Sequence, residues 1–404
     1  MNETILTSYP AMKETEFMLR LALRERFDRI PEELDQEKFD ETMKKHRIYP
    51  LVIRGLRQFT PEQLEGFPVL AKYRALQNRY AGGSLKRMQT LALVAKAMEE
   101  ARIPMISMKG PLLSVELYGD PAMRHSHDLD VLVREEDFLR SAACLKELGF
   151  EQAENPHLKT PKRMEVNLRY TTDNHGEFRR GDQCVELHWR SSTEVNVPFD
   201  ALWENREEKL LLGVKVNEMG RDHKLPHLFA HAAHHGFARL RWLLDLYEVQ
   251  RKPGFSWDEL LESMRQQGNS PLLFETLIVL MRWRVIPMET VTIGSVSVRR
   301  EDDRVIVRYG DDCKTEVEQA VALSDAAWPM MERELDWTFP EFRAHEQLLP
   351  HAAVRHSLWH RIISKFQPGA VDFELIDLPD RWFWLYYLIR PVYLFWRKLT
   401  GGKK

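Results

Sequence analysis

The sequence predicts an α/β fold of the mixed α+β kind, a small mixed sheet in mid-chain flanked by two larger helical regions. Three observations predict it. Helical spacing and helix-friendly composition fill residues 1–80; short apolar runs separated by helical stretches fill about 81–215; helical spacing returns over 216–404, broken by one alternating stretch near 290–310. At 404 residues the chain exceeds what one hydrophobic core usually serves, so several structural units are expected.

In order, MLRLALRERF typifies the N-terminal helical region, which shows no clear strand alternation. RMQTLALVAKAMEEAR places Met88, Leu91, Ala95 and Met98 on one helical face. PMISM reads as a strand that breaks at Lys109 and Gly110. Pro111 suits the first turn of a helix, PLLSVELY, because its missing N–H is one the first turn leaves unpaired anyway; Gly119, Asp120 and Pro121 stop that helix.

DLDVLV then reads as a second strand, and EEDFLRSAACLKELGF as a helix closed by Gly149. MEVNLRYTTDNHGEFRRGDQCVELHWR reads as a strand, a turn region and another strand. Beyond 216, LPHLFAHAAHH, RLRWLLDLYEVQ, DELLESMRQQ and LLFETLIVLMRW carry helical spacing, and TVTIGSVSVRREDDRVIVRYG predicts a small β-hairpin.

Composition narrows the function. Hydrophobic residues at 44% and charged ones at 29% describe a globular chain rather than a disordered one, and a net charge of -3 gives no overall pull toward nucleic acid or anionic lipid. The mixed-sign run RREDDRVIVR reads as a solvated hairpin. Cys144, Cys184 and Cys313 are few and scattered, which points away from a disulfide framework or zinc cluster and toward the cytoplasm. The N-terminus lacks the pattern of a secretory signal. WFWLYYLI is too short to span a bilayer, so a docked aromatic segment is favoured over peripheral membrane contact.

The chemistry gathers around two aspartates one residue apart. Strand alternation puts Asp128 and Asp130 on one face and Leu129, Val131 and Val133 on the other. VELHW repeats the pattern, with Glu186 and His188 sharing a side. Like charges held this close call for a positive partner. Asp128, Asp130 and Glu186 are therefore candidate catalytic residues and ligands of magnesium, with manganese as the alternative ion. Such a site suits phosphoryl or nucleotidyl transfer, in which metal acidifies the acceptor hydroxyl and steadies the leaving pyrophosphate. The Gly110 turn offers backbone N–H groups at a helix start, and Lys109, Arg124 and His188 complete the candidate nucleotide-binding set.

Together, KGPLLSVELYGDPAMRHSHDLDVLV, VELHWR, HLFAHAAHHGFARLRWLLDLYEV and LPDRWFWLYYLIRP resemble the bacterial family of uncharacterised nucleotidyltransferases, within the polymerase-β-like superfamily. The resemblance spans about residues 80–395 and implies magnesium-dependent transfer of a nucleoside monophosphate from an NTP such as ATP. It implies that Asp128 and Asp130 are paired metal ligands, that Glu186 is the third carboxylate and takes the acceptor proton, and that Gly110 belongs to the phosphate-cradling turn. One departure is visible: the superfamily usually has Gly-Ser or Gly-Gly at this turn, whereas Pro111 here removes an N–H donor. Transfer from another phosphorylated donor or a sugar nucleotide to a small molecule or modified peptide is the alternative, and a non-catalytic nucleotide sensor is a third reading.

His227, His231 and His235 recur every four residues and share a helix face, with His234 beside them. Ala232 stands where a zinc metalloprotease helix needs glutamate, so a structural polar face is favoured over metal, with a substrate-facing role between them. Asp245 interrupts an apolar stretch and calls for an Arg or His partner. No hydrolase elbow, P-loop or dinucleotide glycine fingerprint is present.

Overall fold

Residues 1–8, 13–153, 157–170, 174–191, 197–283, 286–288, 290–333, 345, 347–349 and 366–399 are described by a computed structural model. Its first element departs from the helical expectation: Asn2–Thr7 is a strand, β1, paired antiparallel with Arg304–Tyr309. A pairing that distant leaves no local trace beyond the Thr4, Ile5 and Leu6 run. Helices α1 (Lys13–Ala22), α2 (Gln36–His46), α3 (Tyr49–Leu56) and α4 (Pro68–Ala75) follow as expected. Asp35 caps α2 by accepting from the Glu37 and Lys38 amides, which satisfies two otherwise unpaired donors.

The long helix α5 (Gln77–Glu100) buries Leu91, Val94, Ala95 and Met98 against the central sheet. That sheet then assembles from β2 (Ile106–Ser107), α6 (Pro111–Tyr118), β3 (Asp128–Leu132), α7 (Phe138–Glu147), β4 (Glu151–Gln152), α8 (Pro161–Tyr170), β5 (His175–Arg180), β6 (Gln183–His188), α9 (Phe199–Glu204), β7 (Glu207–Leu211) and β8 (Val214–Glu218). The strand order is β4-β5-β6-β3-β2-β8-β7. β3 runs parallel to β6 and β2 parallel to β8, while β2 and β3 are antiparallel, so the sheet is mixed as anticipated.

Two stretches differ from the sequence reading. MEVNLRY lies in helix α8 rather than a strand: Met164 and Val166 alternate with polar residues, but Pro161 opens a helix and Thr160 Oγ1 accepts from the Arg163 amide at 3.4 Å. The β7–β8 hairpin carries the sheet to Glu218, past the expected boundary at 215; Leu212 and Gly213, at φ 51° and 81°, make its turn.

Helices α10 (Arg221–His234), α11 (Leu240–Gln250), α12 (Trp257–Gln266) and α13 (Ser270–Arg282) come next. The expected small hairpin is larger: β9 (Thr290–Ile293), β10 (Val296–Glu301) and β11 (Arg304–Tyr309) join β1 in a four-stranded antiparallel sheet. Helix α14 (Lys314–Arg333) packs on α13. At the C-terminal end, α15 (Ala370–Leu375) and α16 (Tyr386–Leu399) close the described chain. Phe383 and Tyr386 pack with Val166 and Phe373, whereas Trp384, Leu388, Val392, Phe395 and Trp396 lie exposed, so docking of the aromatic segment holds on one face. Among the described residues, no helix is long and apolar enough to cross a membrane.

Two large hydrophobic cores result, one under the central sheet and one uniting the N-terminal helices with α10, α11, α12, α13 and α14. Helix α6 lies between them, with Leu113 and Leu117 in the helical core and Leu112 against the sheet core. An ionic network fixes α10 over this junction: the buried Lys224 ammonium meets buried Glu218 of β8 at 3.3 Å and also the exposed Glu116 of α6.

Candidate active site

The parallel register of β3 and β6 sets Asp130 directly beside Glu186, with Asp128 beside Cys184. Neighbouring strands lie roughly 4.8 Å apart and residues two apart share a face, so the carboxylates of Asp128, Asp130 and Glu186 are brought to one side. His188, two residues beyond Glu186, spans the gap: its Nε2 lies 3.4 Å from Asp130 Oδ1 and 3.4 Å from Glu186 Oε2. Both carboxylates are therefore within reach of one imidazole.

Lys109 supplies the positive charge that the acidic pair called for. The Met108 amide donates to the Asp130 carbonyl at 3.1 Å, which ties the end of the β2 run to β3. That leaves Lys109 Nζ 3.8 Å from Asp130 Oδ1 and 3.3 Å from His231 Nδ1. Gly110 follows at φ 93° and ψ -141°, a conformation that side chains other than glycine rarely adopt, and it starts α6. A β-carbon there would sit 3.6 Å from Leu129, so the turn passes closely over β3.

Burial and charge separate the three acids. Burial would raise the Asp130 carboxyl, but Lys109 and His188 outweigh it and hold that group well below the usual carboxylate range. Glu186 goes the other way, pushed up to about 6 by burial and by the charges of Asp130 and Asp128, against the opposing effect of the His188 imidazole beside it. Burial opposes charge on His188, yet Asp130 and Glu186 raise its pKa above the ordinary value. Asp128, half-exposed, accepts from Ser126 Oγ at 3.1 Å.

Arg124 is placed apart from this group. Its Nε donates to Asp245 Oδ2 at 2.8 Å, and Tyr118 donates to Asp245 Oδ1 at 2.8 Å, with Arg124 and Asp245 buried and Tyr118 partly buried where α6 meets α11. The partner that Asp245 required is thus Arg124. The histidine row of α10 faces the acidic centre: His231 touches Lys109, His227 acts electrostatically on Asp130, and His235 stacks on Trp242. Burial first, then neighbouring cations including Lys109, pushes His231 and His235 well below the usual imidazole range, so both stand uncharged.

Sequence reasoning missed His175. It pairs in register with His188 across β5 and β6, and its ring centroid lies 4.8 Å from that of His188. Alternation along HGEFRR puts His175 and Glu177 on one face, a signal too short to stand out. His175, Glu186 and His188 each offer a ligand atom within 4.8 Å of the others. Of this set only Glu186 offers the oxygen that magnesium or manganese takes, Asp128 and Asp130 fall outside the group, and buried His188 Nδ1 has no hydrogen-bond partner.

Acidic strands paired in parallel, a glycine turn and a lysine counter-charge thus meet at one place. The chain belongs to the family described as uncharacterised nucleotidyltransferase, whose model matches residues 32–284, and nucleotidyl transfer is the class of its activity. Among solved structures it is similar to the antibiotic-resistance factor ANT(2'')-Ia, at 14% identity and a TM-score of 0.27, over 62% of this chain and 97% of that one. It is also similar to a tRNA-processing enzyme in an apo form, at 12% identity and a TM-score of 0.21, over 74% and 87% respectively. Comparison with curated proteins finds no match.

Proposed function

We propose that this chain transfers a nucleoside monophosphate from an NTP to a hydroxyl or phosphate acceptor, in a divalent-metal-dependent reaction centred on Asp128, Asp130 and Glu186. The observation that carries the reading is the register pairing of Asp130 with Glu186 across parallel strands, with His188 between them and Lys109 alongside. Asp128, Asp130 and Glu186 would hold magnesium or manganese, which when bound neutralises donor polyphosphate and acidifies an acceptor hydroxyl.

The protein's own groups divide the remaining work. Glu186, with a pKa near 6, is ionised at neutral pH and basic enough to take the acceptor proton. Asp130 stays ionised throughout that range, held so by Lys109 and His188. The Gly110 turn presents the first amides of α6, beyond Pro111, to a donor phosphate. The uncharged imidazoles of His231 and His235 line the opposite wall with His227 and add hydrogen-bonding capacity.

The test is NTP turnover with magnesium or manganese, read as pyrophosphate release and as label transfer to candidate acceptors. Asp130→Asn is expected to abolish both while near-UV circular dichroism stays native. Full activity in that variant would overturn the reading. Release of a nucleoside diphosphate from a sugar nucleotide, with no pyrophosphate from any NTP, would replace the donor.

A further inference from the structure

A surface helix ordinarily turns its apolar stripe to the core and its polar residues to water. Helix α16 does the reverse: its inward face carries the polar ties and its outward face the aliphatic and aromatic groups. Tyr386 is buried, its hydroxyl donating to the Ile376 carbonyl at 2.6 Å and accepting from the Leu378 amide at 2.9 Å and from Arg163 Nη2 of α8 at 3.0 Å. One turn on, Arg390 pairs with buried Asp372 of α15. Residues two apart on a helix point about 200° apart, so Leu388 and Val392 lie opposite Tyr386 and Arg390. They are 60% and 68% exposed, and Phe395, on the same stripe, is 66% exposed. Trp382 and Trp384, in the 3₁₀ turn Asp380–Leu385 that leads into α16, also stand exposed.

An apolar stripe held outward by buried polar ties calls for something to cover it. The charges around it indicate what. Arg381, Arg397, Lys398, Lys403 and Lys404 accompany the stripe, and no aspartate or glutamate occurs from 381 to 404, in a chain whose net charge is -3. A symmetric pairing of two copies through this face would set one basic segment against another. Anionic lipid headgroups complement the charge instead, tryptophan suits the headgroup level, and the aliphatic groups suit the acyl boundary beneath it. At 14 residues α16 is about 21 Å long, short of the roughly 30 Å hydrocarbon core, so it fits the surface of a bilayer and not a crossing.

We propose that the outward face of α16, with the 3₁₀ turn before it, is a peripheral membrane-binding surface for anionic lipid. The stripe of Leu388, Val392 and Phe395 enters the headgroup region, and the basic residues meet lipid phosphates. The segment lies beyond residues 32–284, the part matched by the family model, and the surface stands independently of nucleotidyl transfer.

The experiment is co-sedimentation of the full chain with vesicles of phosphatidylcholine, with and without phosphatidylglycerol, read also by tryptophan emission. Wild type is expected to bind the anionic vesicles with a blue shift and to leave the neutral ones largely unbound, and added salt should weaken binding. Leu388→Ser with Phe395→Ser changes exposed groups, so this double variant should melt with wild type yet bind at least about tenfold more weakly. Arg397→Gln with Lys398→Gln should bind roughly fivefold more weakly for each charge removed. Light scattering without lipid tests for a second copy as the occupant. Wild type that ignores anionic vesicles, or equal binding by the folded serine variant, overturns the proposal. A lipid-free dimer that the serine substitutions dissociate overturns it in favour of a second copy, and a serine variant that melts far below wild type overturns it in favour of cover from within the chain.

Discussion

Glu186→Gln should make the apoprotein more stable while disabling it. The Glu186 carboxyl is raised from 4.5 to about 6, with burial as the largest cause. Its ionised form is therefore disfavoured by folding, the folded protein binds more protons than the unfolded chain in that interval, and stability falls as pH rises from 4.5 through 6. At about 1.36 kcal/mol per pH unit the full penalty above pH 7 is about 2 kcal/mol. The side chain is only 22% exposed, so solvent screens little of this.

His188 is raised as well, so its contribution is present below pH 6.5 and lost as pH rises beyond that; the variant keeps the share that comes from Asp130 and loses the share from Glu186, which trims the difference above pH 6. The difference between wild type and variant should thus open between pH 4.5 and 7. Urea unfolding in EDTA at a series of pH values reads it: equal stability near pH 4.5, and the variant ahead by about 1–2 kcal/mol near pH 8. Turnover in the same variant should fall by about 10²-fold or more. With magnesium or manganese added, wild type should gain stability that the variant does not. A variant less stable than wild type at pH 8, or one with an identical pH dependence, would refute the reasoning.

Gly110→Ala tests the turn: the space for a methyl is ordinary, but φ 93° with ψ -141° is not, so the cost is backbone strain of about 1–3 kcal/mol, read by urea unfolding. A loss under about 0.5 kcal/mol would mean that the turn relaxes at no expense. Asp245→Ala strands Arg124 and the Tyr118 hydroxyl in the interior and should cost about 3–5 kcal/mol, whereas the paired change Arg124→Met with Asp245→Leu should recover most of it. Calorimetric melting of the single and double variants decides between a structural tie and a dispensable contact.

The acidic centre was legible because each of its parts obeys a local rule. DLDVLV and VELHW alternate strictly, so face and neighbour follow from strand geometry once the two strands are paired, and Gly110 before Pro111 marks a strand-to-helix turn. What escaped was non-local or ambiguous. Met164 and Val166 satisfy a strand pattern as well as they line a helix, and Thr160 with Pro161 decided the matter. The Leu212-Gly213 turn lacks the Asn-Gly or Asp-Gly that advertises a hairpin. β1 finds its partner at Arg304–Tyr309, a contact no window of sequence contains.

The same distinction explains the polarity of the site. Lys109, Asp130, Glu186 and His188 follow from adjacent strands, and across from them α10 contributes imidazoles that burial keeps neutral. Arg87 of α5 and Arg239 and Arg241 at the start of α11 act electrostatically with Asp128 from the helical side. Permanent positive charge is thus concentrated at Asp128, while Glu186 faces His188 and His175. A substrate with a highly charged end and a reacting hydroxyl has one favourable orientation in such a field: polyanion toward the arginines, proton donor toward Glu186. Lys109 lies 3.8 Å from Asp130 Oδ1, and its contact with His231 couples the position of α10 to the charge on Asp130.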